Sequence, residues 1–417
     1  MRSTQSMKTS FFRSLCAYCI VTVNSFSKET FLKKKLYLIS YYFAPLGRAD
    51  GINRSYLVKF LSDLEWKIDV ISCANPHAFL RNFQKDNSLL NIFPVSVNLH
   101  PVKSFYWGPV GQIAALSGLA PDPFGNWVKP AISTAREIVK EHGIVYAVVP
   151  PVSNAKIAST IAKEKKLPLV IDFRDDVFNL SKEILHQANL IVASTPVSLQ
   201  NMLSYYKLDP DKGIVVFNGY PVERISSQHS TSSKLRIIYA GLLNIDQDPA
   251  LLARAVRYME KRYPHTKGKV QVNYYGPKNY YTQLFLRKYL TPNIRYHGYL
   301  PFAQILEKIT QADLAYTSLR DERKAYCIPS KVFQYISMEV PILATGPDGA
   351  LKDFINQNQI GRFSNSDDLE AQAEDIYYLL SNPTALAQMK QNLQKIKPEF
   401  AMKSQVEILD KTLIKLL

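Results

Sequence analysis

The feature that most constrains this chain is a unit that recurs along it. A short run of β-branched and aromatic residues is followed by a turn rich in glycine, proline or aspartate, and then by a stretch of helical periodicity. Residues 36–42 (LYLISYY), 68–72 (IDVIS), 145–149 (VYAVV), 169–171 (LVI), 190–194 (LIVAS) and 213–217 (GIVVF) read as strands. A second series is 235–241, 270–276, 294–299, 312–316 and 342–345. Helical periodicity fills the gaps at 54–64, 130–141, 154–165, 198–206, 249–263, 302–310, 372–380 and 383–417. Such an alternation predicts an α/β fold of parallel sheets wrapped by helices. Residues 75–125 are less regular.

The polar, serine-rich stretch 226–234 (SSQHSTSSK) reads as a linker between the two series. The expected organisation is an N-terminal extension (1–34, disordered), a first α/β domain (35–221), a linker (222–234), a second α/β domain (235–385) and closing helices (386–417).

Residues 326–345 (YCIPSKVFQYISMEVPILAT) are the most informative stretch. Pro329 disfavours helix before it and Ser330 is a good N-cap. Val332, Phe333 and Ile336 share one helical face; Lys331 and Gln334, three apart, share another. A buried strand follows, and then the break Gly346-Pro347-Asp348-Gly349. A lysine in a first helical turn adds a full charge to the partial positive charge of the N-terminus, so this site suits a phosphate.

These residues resemble the PSK-x-x-E-Y…G-x-P-V-L-A segment of GT-B nucleotide-sugar glycosyltransferases of the GT4 (group 1) type. The resemblance extends over about residues 36–400. Gly47, Gly51 and Arg54 match the glycine loop that opens the family's first domain and closes towards donor phosphates and acceptor. Asp172-Phe173-Arg174-Asp175, after Pro150-Pro151, matches the D-x-R-D element of some bacterial capsular and exopolysaccharide glycosyltransferases. Asn218-Gly219-Tyr220-Pro221 matches the turn that ends the first domain. The chain departs from the pattern at three places. Gln334 and Tyr326 stand where the family usually carries, or often carries, glutamate. Leu242-Leu243-Asn244 stand where a basic pair commonly follows the glycine at 241.

The resemblance implies two Rossmann-like domains (35–221 and 235–385) facing across a cleft, with the closing helices 386–417 crossing back to the first. It implies transfer of a sugar from a UDP- or GDP-sugar to a saccharide or lipid-linked saccharide, with retention at the anomeric carbon, no obligatory metal and no cofactor. Lys331, the amides opening its helix and those of Gly349 and Ala350 would hold the leaving diphosphate, with Gly241 and Gly276 lining the donor site. Gln334 would hold the ribose. Arg174 and Asp175 would face the reacting sugar from the first domain, and Gly47, Gly51, Arg54 and Asp172 would form the acceptor and phosphate loop. Two rival readings share this architecture: a degenerate protein that binds without turnover, and a nucleotide-sugar epimerase.

Other chemistry finds little footing. There is no G-x-G-x-x-G, P-loop, H-E-x-x-H, G-x-S-x-G or zinc spacing. Asp209-x-Asp211 and Asp246-x-Asp248 lie beside prolines and read as turn and capping residues rather than metal ligands. Four cysteines, including Cys16-x-x-Cys19 in the tail, suit a reducing compartment. The net charge of +16, with seven Lys/Arg against one Glu in residues 1–35, suits nucleotide phosphates or an anionic membrane surface; nucleic acid is not an expected partner. The apolar run 15–23 (LCAYCIVTV) is too short to span a bilayer. It reads as part of a dispensable extension, a signal segment or an interfacial anchor. The expected location is cytoplasmic, at the inner face of the plasma membrane.

Overall fold

A computed structural model of the chain describes residues 33–77, 83–105, 108–120, 122–225, 233–366 and 368–417. The Cys16/Cys19 pair, the 15–23 run, most of the linker, and Tyr106 and Trp107 lie outside the described residues.

The first sheet has seven strands: β1 (Lys35–Ser40), β2 (Lys67–Cys73), β3 (Val97–Val102), β4 (Ile144–Val149), β5 (Leu169–Phe173), β6 (Leu190–Ala193) and β7 (Gly213–Val215). Their order is β3-β2-β1-β4-β5-β6-β7, all parallel. The second has six: β8 (Leu235–Ala240), β9 (Val270–Tyr275), β10 (Ile294–Tyr296), β11 (Leu314–Ser318), β12 (Ile342–Gly346) and β13 (Gly361–Asn365). Their order is β10-β9-β8-β11-β12-β13, again parallel. β4, β5, β6 and β12 are buried along their whole length. Burial on both faces is why these segments read as unbroken apolar runs. In each sheet the strand order reverses once, between β1 and β4 and between β8 and β11, which opens a crevice at the carboxyl ends of the strands.

The helices are α1 (Ala49–Asp63), α2 (Pro109–Leu116), α3 (Gly125–Ile138), α4 (Val152–Lys165), α5 (Lys182–Gln187), α6 (Pro196–Tyr206), α7 (Ala250–Arg262), α8 (Phe302–Thr310), α9 (Ser330–Ser337), α10 (Ala350–Asn358), α11 (Leu369–Ser381), α12 (Pro383–Ile396) and α13 (Met402–Ile414). Several differ from the sequence reading. α3 starts at Gly125 rather than Pro130, because Trp127, fully buried against Tyr41, anchors its first turn. Ser330 is the first helical residue rather than the cap, and its hydroxyl accepts from Asn53 Nδ2 at 3.1 Å. The closing helix expected at 383–417 is broken by Lys397–Phe400.

That break also corrects the expected path of residues 386–417. α12 stays with the second domain, where Leu393 is buried beside Ile360 and Leu351. Only α13 crosses back: Met402, Val406, Leu409 and Leu413 pack on Leu57, Val58, Leu61 and Trp66. The two chain crossings touch. Tyr220 N donates to the Phe400 carbonyl (3.0 Å) and Met402 N to the Tyr220 carbonyl (2.9 Å). Gly219 has φ +63°, and a Cβ there would lie 2.8 Å from Met402 Cα, so both conformation and space call for glycine. Phe217, Phe333, Phe354 and Phe400 form one aromatic cluster beside the crossings.

The loops that leave the strands of the two sheets meet each other. Asn53 bonds Ser330, Thr195 Oγ1 donates to the Tyr326 carbonyl at 2.7 Å, and Ile52 and Leu89 share a core with Phe302 and Leu306. The two domains therefore face one another across a cleft at the carboxyl ends of their strands.

Candidate functional site

On the second domain the site is built around Lys331, in the first turn of α9. Its side chain is buried and turns under the loop that follows β8. Nζ lies 2.9 Å from Tyr239 Oη and 2.9 Å from Gln247 Oε1, and 4.0 Å from the centre of the Tyr239 ring. The Tyr239 hydroxyl is itself 2.5 Å from Gln247 Oε1 and 2.6 Å from the Leu242 carbonyl, either of which takes its proton. No carboxylate among the described residues pairs with Lys331, and burial pulls its pKa down to about 7. Gly241 (φ +149°) sits directly over the amine: a Cβ there would be 3.0 Å from both Cε and Nζ. Gly276 in turn is held by the Gly241 carbonyl, which a Cβ at 276 would meet at 2.1 Å. These two glycines let adjacent strand ends close over the lysine.

Gln334 is one turn further along α9, half-buried, and its side chain makes no hydrogen bond to the described residues. Gly349 (φ +152°) precedes α10, and a Cβ there would strike the Ala325 carbonyl at 2.3 Å. The same carbonyl accepts from Ala350 N at 2.8 Å, so that amide is already engaged.

On the first domain the site is a set of buried charges. Asp172, fully buried at the end of β5, accepts at Oδ2 from Tyr146 Oη (2.8 Å), Arg174 Nε (3.0 Å) and Arg174 Nη2 (2.7 Å). Its Oδ1 has no partner among the described residues. Arg174 also donates to the Val216 carbonyl at 3.0 Å. Arg54, from α1, is 5% exposed, yet its Nε and Nη1 have no hydrogen-bond partner among the described residues. Nη2 reaches the Pro150 carbonyl only at 3.5 Å, and the closest carboxylate, Asp50, is 4.0 Å away. Burial lowers the pKa of Arg54 and Asp50 offsets part of that; an arginine nevertheless stays charged. Buried polar atoms left like this cost about 1–3 kcal/mol each unless a ligand or water completes them.

Arg54, Asp172 and Arg174 line one cavity of about 150 Å³ together with Asn218, Ile328 and Ser330. The last two lead into α9, so both domains contribute. Asp175 also lines it, and its Oδ1 accepts from Lys324 Nζ (2.9 Å) and Tyr326 Oη (2.8 Å) of the second domain. Burial would lower the Lys324 pKa, but the Asp175 carboxylate more than offsets it and the net shift is upward. Gly47 approaches the second domain so closely that a Cβ would meet Tyr299 Oη at 2.5 Å. Gly51 lies over the Leu46 carbonyl, which would be 2.2 Å from its Cβ.

The residues named from the sequence thus fall into two groups. Gly47, Gly51, Arg54, Asp172, Arg174 and Asp175 surround the first-domain side of the cleft. Gly241, Gly276, Lys331, Gln334, Gly349 and Ala350 lie at the strand ends of the second domain. Sequence reasoning missed Tyr239 and Gln247, which hold Lys331, and Lys324, which meets Asp175. Tyr239, one residue before Ala240-Gly241, was within reach of it, since a tyrosine so close to a strand end needs a partner for its hydroxyl. Asp209 and Asp248 serve locally: Asp209 accepts from Asp211 N at 3.0 Å, and Asp248 pairs with Arg254 at 2.7 Å and Tyr281 at 2.5 Å.

Residues 234–382 match the family described as Glycosyl transferases group 1. No curated protein sequence matches the chain. Among solved structures, it is similar to Anabaena HepE in complex with UDP and glucose, with a TM-score of 0.67 at 15% identity, covering 92% of this chain and 100% of that one. The pneumococcal O-GlcNAc transferase GtfA in complex with UDP and GlcNAc gives a TM-score of 0.67 at 11% identity, covering 92% and 99%. WaaG, a glycosyltransferase involved in lipopolysaccharide biosynthesis, gives 0.59 at 11%, covering 91% and 99%. At these identities the likeness establishes the fold, which is GT-B.

Proposed function

We propose, from the match of residues 234–382 to the group 1 glycosyltransferase family and from the GT-B fold, that this protein moves a sugar from a UDP- or GDP-sugar to a saccharide or lipid-linked saccharide in polysaccharide biosynthesis. The proposed transfer retains the anomeric configuration and needs no metal. The proposed place of work is the cytoplasm, at the inner face of the plasma membrane. No described helix is long and apolar enough to cross a membrane.

The observation that carries this reading is the cavity shared by the two domains. Arg54 and Asp172 both line it, and Arg54 has donors and Asp172 an acceptor, Oδ1, without a partner among the described residues. A partner that satisfies both must accept and donate, as sugar hydroxyls do and a phosphate alone does not. The start of α9 forms the opposite wall, and its N-terminal amides and Lys331 suit the departing diphosphate. Asp175 and Arg174 would face the reacting sugar, and Gln334 the ribose.

A second reading, binding without turnover, draws on Lys331 being held by Tyr239 and Gln247 and on the absence of a basic pair after Gly241. One experiment separates these readings: incubation with UDP-, GDP- and CMP-sugars and a saccharide panel, read by mass spectrometry. A product heavier by one sugar residue supports transfer. Donor binding without product favours the second reading, and an isomerised donor indicates an epimerase.

A further inference from the structure

Residues 87–121 form the longest stretch of the described chain with almost no charge: Lys103 is its one charged side chain, and no carboxylate occurs between Asp86 and Asp122. A stretch of that kind is ordinarily buried. Here much of it is on the outside. Along α2, Val110 is 55% exposed, Ile113 63% and Leu116 86%. Successive steps of three residues keep them on one helical face. Phe105 before the helix and Leu119 after it are exposed as well, at 73% and 85%. The opposite side is fixed to the protein: Gly111 is buried so close to Pro123 that a Cβ would lie 3.1 Å from its carbonyl. The exposure is therefore built into the way the helix is seated.

The place of this surface matters as much as its chemistry. Asp122, just after it, accepts from Ser153 N (2.6 Å) and Ser153 Oγ (2.7 Å), at the start of α4. Phe124 packs on Tyr41, with ring centroids 4.5 Å apart, at the end of β1. Ser104 is bound at both backbone groups by Asn75, at the end of β2. The apolar surface thus stands on the carboxyl edge of the first sheet, the edge on which the cleft opens.

We propose that α2, with Phe105 and Leu119, docks the protein on an anionic phospholipid bilayer, so that the cleft faces the membrane surface. An apolar helical face without carboxylates, beside an exposed lysine in a chain of net charge +16, fits acyl chains below and acidic headgroups above. A protein partner would more commonly meet a polar rim around such a patch. The inference rests on the proposed function only in giving the bilayer a purpose, namely to present a lipid-linked acceptor.

The test is co-sedimentation of the full chain with phosphatidylglycerol/phosphatidylcholine vesicles and with pure phosphatidylcholine vesicles. Wild type should bind the anionic vesicles more strongly, and Ile113→Asp/Leu116→Asp should weaken that binding at least about tenfold, the loss expected when large apolar side chains no longer leave water. Lys103→Glu should weaken it on anionic vesicles alone. Should the double variant fail to fold, Ile113→Cys carrying an environment-sensitive fluorophore should shift to the blue on vesicles. Wild-type binding that the double variant retains overturns the proposal in favour of the basic N-terminal residues. So does a dimer of the free protein that the double variant abolishes without any change in vesicle binding. Turnover of a water-soluble acceptor should be the same in wild type and double variant, and failure to find any turnover leaves the vesicle result standing.

Discussion

The state of Lys331 is open to a direct test by pH. Its pKa falls from an ordinary 10.5 to about 7 because the amine is buried without a carboxylate. At about 1.4 kcal/mol per unit, the gap corresponds to roughly 5 kcal/mol between the charged and neutral forms. The folded protein gives up this proton near pH 7, while the unfolded chain keeps it until about 10.5. Between those values the unfolded state binds more protons, so stability rises with pH; below the window both states are charged and the full cost is present. From pH 7 to pH 9 the gain is about 2 kcal/mol. Lys331→Met should lack this slope and should be more stable than wild type at pH 7. Its Gln247 carbonyl is not orphaned, because the Tyr239 hydroxyl remains 2.5 Å away. Chemical denaturation of both proteins at pH 7, 8 and 9 reads the difference. A diphosphate bound beside the amine would restore its charge, so UDP or GDP binding at pH 8 should take up nearly one proton in wild type and none in Lys331→Met. Titration calorimetry in two buffers of unlike ionisation enthalpy measures this. Parallel pH–stability curves, or equal proton uptake by both proteins, would refute the reasoning.

Gln334→Glu should keep or tighten donor binding, and Gln334→Ala should weaken it by about 1 kcal/mol, the worth of one ordinary hydrogen bond; calorimetry with the best nucleotide decides. Turnover on the right donor should survive excess EDTA, and a strict need for magnesium or manganese would end the metal-independent reading. Asp175→Asn should leave the melting temperature within a few degrees, since Asp175 and Lys324 are 41% and 37% exposed and such pairs contribute about 0–1 kcal/mol. Its turnover should fall far more, and equal small losses in both would make Asp175 a domain contact only. Deletion of residues 1–33 should leave a single cooperative melt by circular dichroism, and a lost transition would show that the tail is part of the fold.

How much could be read in the sequence depends on where each element sits. β4, β5 and β12 are covered on both faces and announce themselves as apolar runs. β3 (VNLHPV) and β13 (GRFSN) pair on one side only, at sheet edges, and are mostly half-buried. With one neighbour missing, little apolar pattern is needed, and neither was recognised. α2 hid for the opposite reason: its apolar face of Val110, Ile113 and Leu116 points outward and is not set against a charged one. At the site, the charged and glycine positions were legible because their residue types are costly or unusual at strand ends. Their partners were not. Lys331 is held by residues more than eighty positions earlier, and Asp175 meets Lys324 and Tyr326 from the other domain. Such pairings follow from topology and packing.

The return of α13 to the first domain has a consequence for how the protein is made. The core that holds Leu57, Val58 and Leu61 of α1 and Trp66 also takes in Met402, Val406, Leu409 and Leu413. Asp410 supplies the partner for Trp66 Nε1 at 2.7 Å and for Lys34 at 3.1 Å. These residues leave the ribosome only after the whole of the second domain has been made. The second domain, with α12, lies in sequence between the two parts of the first. At about 5–20 residues per second, the first domain waits roughly ten to forty seconds with that core incomplete while the second is synthesised. The first domain therefore finishes folding only after the second has been made, and a chain cut short before α13 would join a finished second domain to an unfinished first one.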